Sequence, residues 1–340
     1  MPKIIGESLD QLCNFNMFPG SGDLPRGETQ HFYAAARRAQ GDPLAYQAGM
    51  ALIEAIHPGD HVLIVTGCRN IPALPYGETD GPVGAAVMAR ALDRAFGAKS
   101  IVAVEASNHA PVEAALRAAG CFLCAEENID KIDGACTIDH YPLGPESGRT
   151  HAEALIEKYA PKAIIFIEKH GPNEAGEFHT ALGYRIDKNE MANTQYLLPL
   201  AKDRGILTIG IGDGGNEIGN GVIFHDPEAQ ECVPKCKCGC GGSIMTVAST
   251  DIFMAAAISN WGAYAITGML AYLKGDVDIV HDEDTEERML QACAMQGSVD
   301  GIYMRPTPMV DGINMQASRA FVRLLRLMVE KGLMDVYREN

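Results

Sequence analysis

Several features are scarce in this chain of 340 residues, and each scarcity narrows what it can be. It has no run of the eighteen or so uninterrupted apolar residues that would cross a bilayer core roughly 30 Å thick, so a membrane role is not expected. The start, "MPKIIGESLDQLCNFNMFPGSGD", has neither the apolar core of a secretory signal nor the Arg-rich, acid-poor character of a transit peptide, so the expected location is cytoplasmic. Positive charge is also short. The 28 Lys and Arg against 44 Asp and Glu leave a formal charge of −16, a surface that repels phosphate backbones, so nucleic acid is not an expected partner.

Cysteine is sparse, at 10 residues, too few for a disulfide scaffold in a chain of this length. Four of them nonetheless crowd into "ECVPKCKCGCGGS", as Cys232, Cys236, Cys238 and Cys240. That density could hold zinc or an iron-sulfur cluster. The Cys-x-Cys-x-Cys spacing is not that of a CxxC knuckle, however, and no second pair follows. A turn carrying reduced thiols is the favoured reading.

What is present is an alternation of short apolar runs with amphipathic stretches. "HVLIVTG", "SIVAVEA", "GACTI", "KAIIFIEK", "ILTIGIG" and "DVDIV" read as strands, several of them continuous enough to be buried on both faces. "GAAVMARALDRAFGA", "APVEAALRAAG", "HAEALIEKYAP", "NTQYLLPLAKDRG" and "SNWGAYAITGMLAYLKG" between them have helical spacing and often end at glycine. The expected fold is α/β: a mostly parallel sheet with helices on both faces, three-layered and Rossmann-like. No linker or repeat breaks the chain. Residues 1–340 are expected to form one domain, with a helical flank over 1–58, a motif-bearing core over 59–315 and a closing helix over 316–340.

Ligands of such sheets lie beyond the carboxyl ends of the strands, and acidic residues gather there in this sequence. Glu78 and Asp80 follow the first strand in "YGETDGPVG", Glu168 ends "AIIFIEK", and Asp213 and Glu217 sit in "TIGIGDGGNEIGNG" with six glycines. Each has an ordinary explanation: Thr79 or Asp80 capping the next helix, Glu168 paired with Lys169 or Arg185. The last stretch contains GxGxxG, but an aspartate occupies the turn where a pyrophosphate would lie. If the stretch starts a helix, Asp213 and Glu217 lie one turn apart and repel unless a cation or proton intervenes. Together the five point to a divalent-metal centre for Mg²⁺ or Mn²⁺, with Glu78, Asp80, Asp213 and Glu217 as ligands. "VDGI" occurs twice near the C-terminus, at 299–302 and 310–313, as a turn signal from which Asp300 or Arg305 could reach the cleft.

With "GETDGPVGAA", "FIEKHGPNEAGEFHTALG", "IGIGDGGNEIGNG", "SNWGAYA" and "VDGI" in that order, the sequence resembles the C-terminal domain of the D-glutamate cyclase family over roughly residues 60 to 315. The resemblance implies a lyase of amino-acid metabolism, a carbon-oxygen hydro-lyase that dehydrates D-glutamate to 5-oxo-D-proline and water in an acidic pocket that binds manganese or magnesium. Glu217, Glu168 and Asp213 are the catalytic candidates. The substrate, D-glutamate or a related acid, is expected to meet Thr79, Asn173, His179, Arg185, Asn216, Asn260, Asp300 and Arg305. Two other classes fit the residues: an Mg²⁺- or Mn²⁺-dependent hydrolase of small phosphate esters, and a non-catalytic metal- or small-molecule-binding module. A homo-oligomer is left open, because "RAFVRLLRLMV" is apolar enough for an interface or a core.

Overall fold

A computed structural model describes residues 1–15 and 28–334. Helices α1 (Pro2–Cys13), α2 (Glu28–Gln40) and α3 (Leu44–Ala55) lead into β1 (His61–Thr66). There follow α4 (Pro82–Phe96), β2 (Lys99–Val104), α5 (His109–Ala119), β3 (Phe122–Leu123), β4 (Ala135–His140), α6 (Pro145–Tyr159) and β5 (Ala163–Ile167). A small hairpin, β6 (Phe178–His179) with β7 (Arg185–Ile186), precedes α7 (Leu197–Arg204), β8 (Leu207–Gly212), α8 (Pro227–Cys232) and β9 (Ile252–Ala255). Helices α9 (Ser259–Lys274) and α10 (Glu283–Met295), the pair β10 (Met309–Val310) and β11 (Ile313–Asn314), and α11 (Met315–Leu333) complete the chain's described part.

The main sheet is parallel throughout, in the order β3-β4-β2-β1-β5-β8-β9. From β1 the chain winds outward through β2 to β4 and β3, then lays β5, β8 and β9 on the other side. The strand order therefore reverses between β1 and β5, and the crevice beyond their carboxyl ends is the natural ligand position of such a sheet.

Why the strands read as continuous apolar runs is plain from the two cores. Val62 and Ile64 of β1 pack into the layer with α4, α5 and α9, whereas Leu63 and Val65 face the opposite layer with α6 and α7. Helix α9 is buried from Ser259 through Ala271, because α4 lies on one side and α1, α3 and α11 cover the rest. Trp261 stacks on Phe321 at 4.1 Å within this packing. Gly97, Gly120, Gly205 and Gly275 end their helices in the left-handed conformation, as read from sequence.

Two readings change. "DVDIV" is no strand: Val277–Ile279 forms a 3-10 turn, closed where the Asp276 carboxylate accepts the Asp278 N–H at 2.9 Å. The sheet's two strands not read from sequence are the two-residue β3, which pairs with β4, and the four-residue β9, which pairs with β8. No helix among the described residues is long and apolar enough to cross a membrane.

Candidate metal centre

Four loops leave the carboxyl ends of β1, β5, β8 and β9 and meet over the switch point. The loop after β1 carries Glu78 and Asp80 and is tied to the chain near the C-terminus, where the Thr79 N–H donates to the Val299 carbonyl at 2.9 Å. The loop after β8 does not start a helix as expected from sequence; it stays irregular to the 3-10 turn Asn220–Ile223. Glycine explains how it still brings Glu217 to Asp213. A Cβ on Gly210 would lie 2.5 Å from the Gly219 Cα, so the loop folds back directly onto its own strand. The fold-back is held where the Gly214 N–H donates to Glu217 at 3.1 Å and the Asn220 amide donates to Glu217 Oε2 at 2.9 Å.

The helix starts are capped across one another. The Asn260 side-chain oxygen accepts the N–H groups of Gly81 and Gly84, at 3.0 and 2.6 Å, at the head of α4. Asp80 in turn accepts the Ser259 and Asn260 N–H groups, at 2.9 and 2.7 Å, at the head of α9. Asp80 thus caps the distant helix and touches the one that follows it only through the Gly81 N–H, at 3.1 Å. Both positive helix ends face the same carboxylates. Ser259 gathers three of them: its N–H reaches Asp80 and, at 3.2 Å, Asp213, and its hydroxyl donates to Glu168 Oε2 at 2.6 Å.

Two groups result, Asp80 with Asp213 and Asp311, and Glu168 with Asp213 and Glu217, each with oxygens within 4.8 Å of one another. Asp213 belongs to both. Glu78, Asp80, Glu168 and Glu217 are buried. Burial first, and then the charges of neighbouring carboxylates, raise the acids above the usual range: Glu78 to about 8, Glu217 to about 7, and Glu168, Asp213 and Asp311 well above. Lys169, beside Glu168 in sequence, is engaged by Glu105 and the Gly67 carbonyl, and Arg185 lies 3.8 Å from Glu177, so neither neutralises Glu168. Glu168 and Asp311 also hold φ of 50° and 44°, in the left-handed region that non-glycine residues avoid. Crowded oxygen donors, four of them buried and Asp213 and Asp311 half-buried, with no cationic side chain among them in the described residues, are what a hard divalent cation satisfies.

A family model described as D-glutamate cyclase-like, C-terminal, matches residues 31–326. The chain belongs to that family. Every carboxylate of the centre lies inside the matched span of this D-glutamate cyclase-like chain. No curated protein sequence matches it.

The structure brings Glu78, Asp80, Glu168, Asp213 and Glu217 to one place and sets several other expected residues around them. Thr79 donates its hydroxyl to the Met309 carbonyl at 2.5 Å. Asn260 holds the two helix starts together. Asp300 organises both VDGI turns, accepting the Tyr303 and Gly312 N–H groups at 2.6 Å each. Asn216 donates to the His179 carbonyl, and Asn173 to the Ser243 carbonyl, so both brace loops. His179 points its Nε2 at Cys236 and Cys238, at 3.1 and 3.2 Å. Arg185 and Arg305 are exposed, the latter donating to the carbonyl of Met304.

Two contributors were missed from sequence. Asp311 lies in the second VDGI turn, and the repeat itself was the signal, since a doubled turn with an aspartate in each copy can deliver both to one place. The other is Cys68, which sits 3.6 Å from the His170 ring and beside Glu78. Burial, then the Lys169 charge, lowers His170 to about 3, which keeps it neutral.

Proposed function

We propose that this chain is a metal-dependent D-glutamate cyclase, a hydro-lyase that closes D-glutamate to 5-oxo-D-proline and releases water. The observation that carries the reading is the buried carboxylate centre at the switch point, inside the D-glutamate cyclase-like span. Asp80, Asp213 and Asp311 would hold the cation, Mg²⁺ or Mn²⁺, with Glu217 and Glu78 beside them. Bound there, it supplies Lewis-acid neutralisation of the substrate's γ-carboxylate, otherwise a poor electrophile.

The side chains supply the rest. Cyclisation needs the ammonium to lose a proton before its nitrogen attacks, and Glu217, raised to about 7 without metal and favoured as the carboxylate by a cation beside it, is suited to accept it near neutral pH. Two protons leave the nitrogen over the reaction and two leave with the γ-oxygen as water: one comes from Glu168, the other from the nitrogen itself, and the proton taken by Glu217 returns to Glu168 to close the cycle. Glu168 holds its proton, since burial and then the charge of Glu217 keep its carboxyl neutral, while Ser259 fixes its Oε2 and leaves Oε1 for the proton. The heads of α4 and α9 add N–H dipoles at the place where oxygen charge collects.

The test is incubation of the purified chain with D-glutamate and Mn²⁺ or Mg²⁺, following 5-oxo-D-proline by chiral chromatography and mass. Product that requires added metal and disappears with chelator is expected. No product from either glutamate enantiomer, together with turnover of phosphate monoesters, would replace this reading with that of a hydrolase.

A further inference from the structure

A second group of ligand atoms lies outside the carboxylate centre. Cys236, Cys238 and Cys240 converge on His179 of β6, the four ligand atoms lying within 4.8 Å of one another. The Cys236 sulfur is 2.8 Å from that of Cys238 and 3.4 Å from that of Cys240, and His179 Nε2 is 3.1, 3.2 and 3.8 Å from the three in order. His179 is buried at 1% exposure, and its ring nitrogen turns to the sulfurs and to no carboxylate. Cys232, the fourth cysteine of the stretch, packs in the main core.

The loop that carries the thiols is held by backbone and polar contacts, among them the Lys235–Ser243 bridge and the Ser243 N–H on Glu174 at 3.0 Å. Between Val233 and Ile244 it reads Pro-Lys-Cys-Lys-Cys-Gly-Cys-Gly-Gly-Ser, with no large apolar side chain to bury. Exposure alternates along it, so Lys235, Lys237, Gly239 and Gly241 face solvent and the three cysteines face inward. Gly239 and Gly241, at φ of 79° and 82°, curl the backbone so that residues two apart put their sulfurs together. That curl lets a Cys-x-Cys-x-Cys run do what a CxxC knuckle does. Amide donors are already aimed at the sulfurs: the Cys238 N–H at Cys236 Sγ (3.1 Å) and the Asn173 amide at Cys240 Sγ (3.4 Å). The loop is pinned to the β6–β7 hairpin by the Lys237 N–H on the Gly183 carbonyl at 2.8 Å.

The geometry points to a structural Zn²⁺ site formed by Cys236, Cys238, Cys240 and His179. Three thiolates and a neutral imidazole make a closed tetrahedral Cys₃His set, with no position left for a substrate. Around one zinc the sulfurs stand about 3.8 Å apart, which these reach by separating slightly. An iron-sulfur cluster fits less well, because each cysteine then binds a different iron and the sulfurs must spread further. Binding displaces three thiol protons, and the flanking Lys235 and Lys237 offset the net negative charge of the complex. The ion would brace the carboxylate centre from behind, since the His179 carbonyl receives the Asn216 amide at 2.8 Å and Asn216 precedes Glu217.

Metal analysis of the full chain, purified without a metal-affinity tag, tests this. We expect about one zinc per chain, retained through dialysis, and in the cobalt-substituted protein the sulfur-to-metal charge-transfer and tetrahedral ligand-field bands that oxygen ligands do not give. C236S/C238S should reduce zinc content to near zero and abolish those bands, whereas D213A should leave both unchanged. The cobalt spectrum of the unmodified chain serves even if the double variant fails to fold. No zinc, no thiolate bands after reconstitution, or a Cys236–Cys238 disulfide in place of bound metal would overturn the proposal. Cyclase activity does not enter these readouts, so the two proposals fail separately.

Discussion

Asp213 is the one residue common to both carboxylate triads, and Ser259 holds it through a single N–H at 3.2 Å. Asp213→Ala is therefore expected to abolish Mn²⁺ binding by calorimetry and, with it, formation of 5-oxo-D-proline. Glu217 separates binding from proton transfer more finely. Gln at this position keeps the size and one side-chain oxygen near the cation but cannot accept a proton, so Glu217→Gln should retain most of the Mn²⁺ affinity while kcat falls about 10²- to 10⁴-fold. The sign of the pH effect follows from the base role. A base must be deprotonated, so in the unmodified chain kcat rises with pH along a limb that lies below the metal-free value of about 7, because the bound cation favours the carboxylate, and in the Gln variant that limb disappears from the pH-rate profile. An unchanged profile would assign the base elsewhere.

At the scale of elements, what the sequence showed and what it hid have separate physical causes. Strands such as "HVLIVTG" were legible because two covered faces demand apolar residues at every position, and the carboxylates were legible because a parallel sheet delivers its loops to one edge. "DVDIV" misled because its alternation is that of a strand, while the Asp276 side chain closes a turn that periodicity does not register. β9 is too short to show a period. Asp311 and His179 were hidden for another reason: each reaches its group across the fold, His179 from a position 57 residues before Cys236. The crossed caps were also invisible, because Asn260 and Asp80 serve each other's helices over a separation of 180 residues. Asn260→Ala would leave the Gly84 N–H buried without its acceptor and the Gly81 N–H with only Asp80 Oδ1 at 3.1 Å, and is expected to cost about 1–3 kcal/mol in urea unfolding. A cost near zero would mean that the two helix starts are held by packing alone.

For the whole molecule, the centre ties stability to pH and to metal. Burial, then neighbouring charge, raises Glu78 to about 8 from its ordinary 4.5, and burial raises Glu217 to about 7. Without metal, the folded chain keeps protons on these groups that the unfolded chain has released. The folded state then binds more protons than the unfolded one, so stability is fully present below the unfolded value and declines as pH rises through the folded values. A divalent cation cancels the slope, because it takes the place of those protons and competes better as they leave. The stabilisation it brings is RT ln(1 + [M]/Kd), with Kd falling as pH rises. Thermal unfolding of the chelated chain should therefore show Tm decreasing from about pH 5 to about pH 8, while the increment from added Mn²⁺ grows over the same interval. In D213A the increment should vanish at every pH. An Mn²⁺ increment that is independent of pH would mean that the cation binds without displacing protons, and so outside the carboxylate centre.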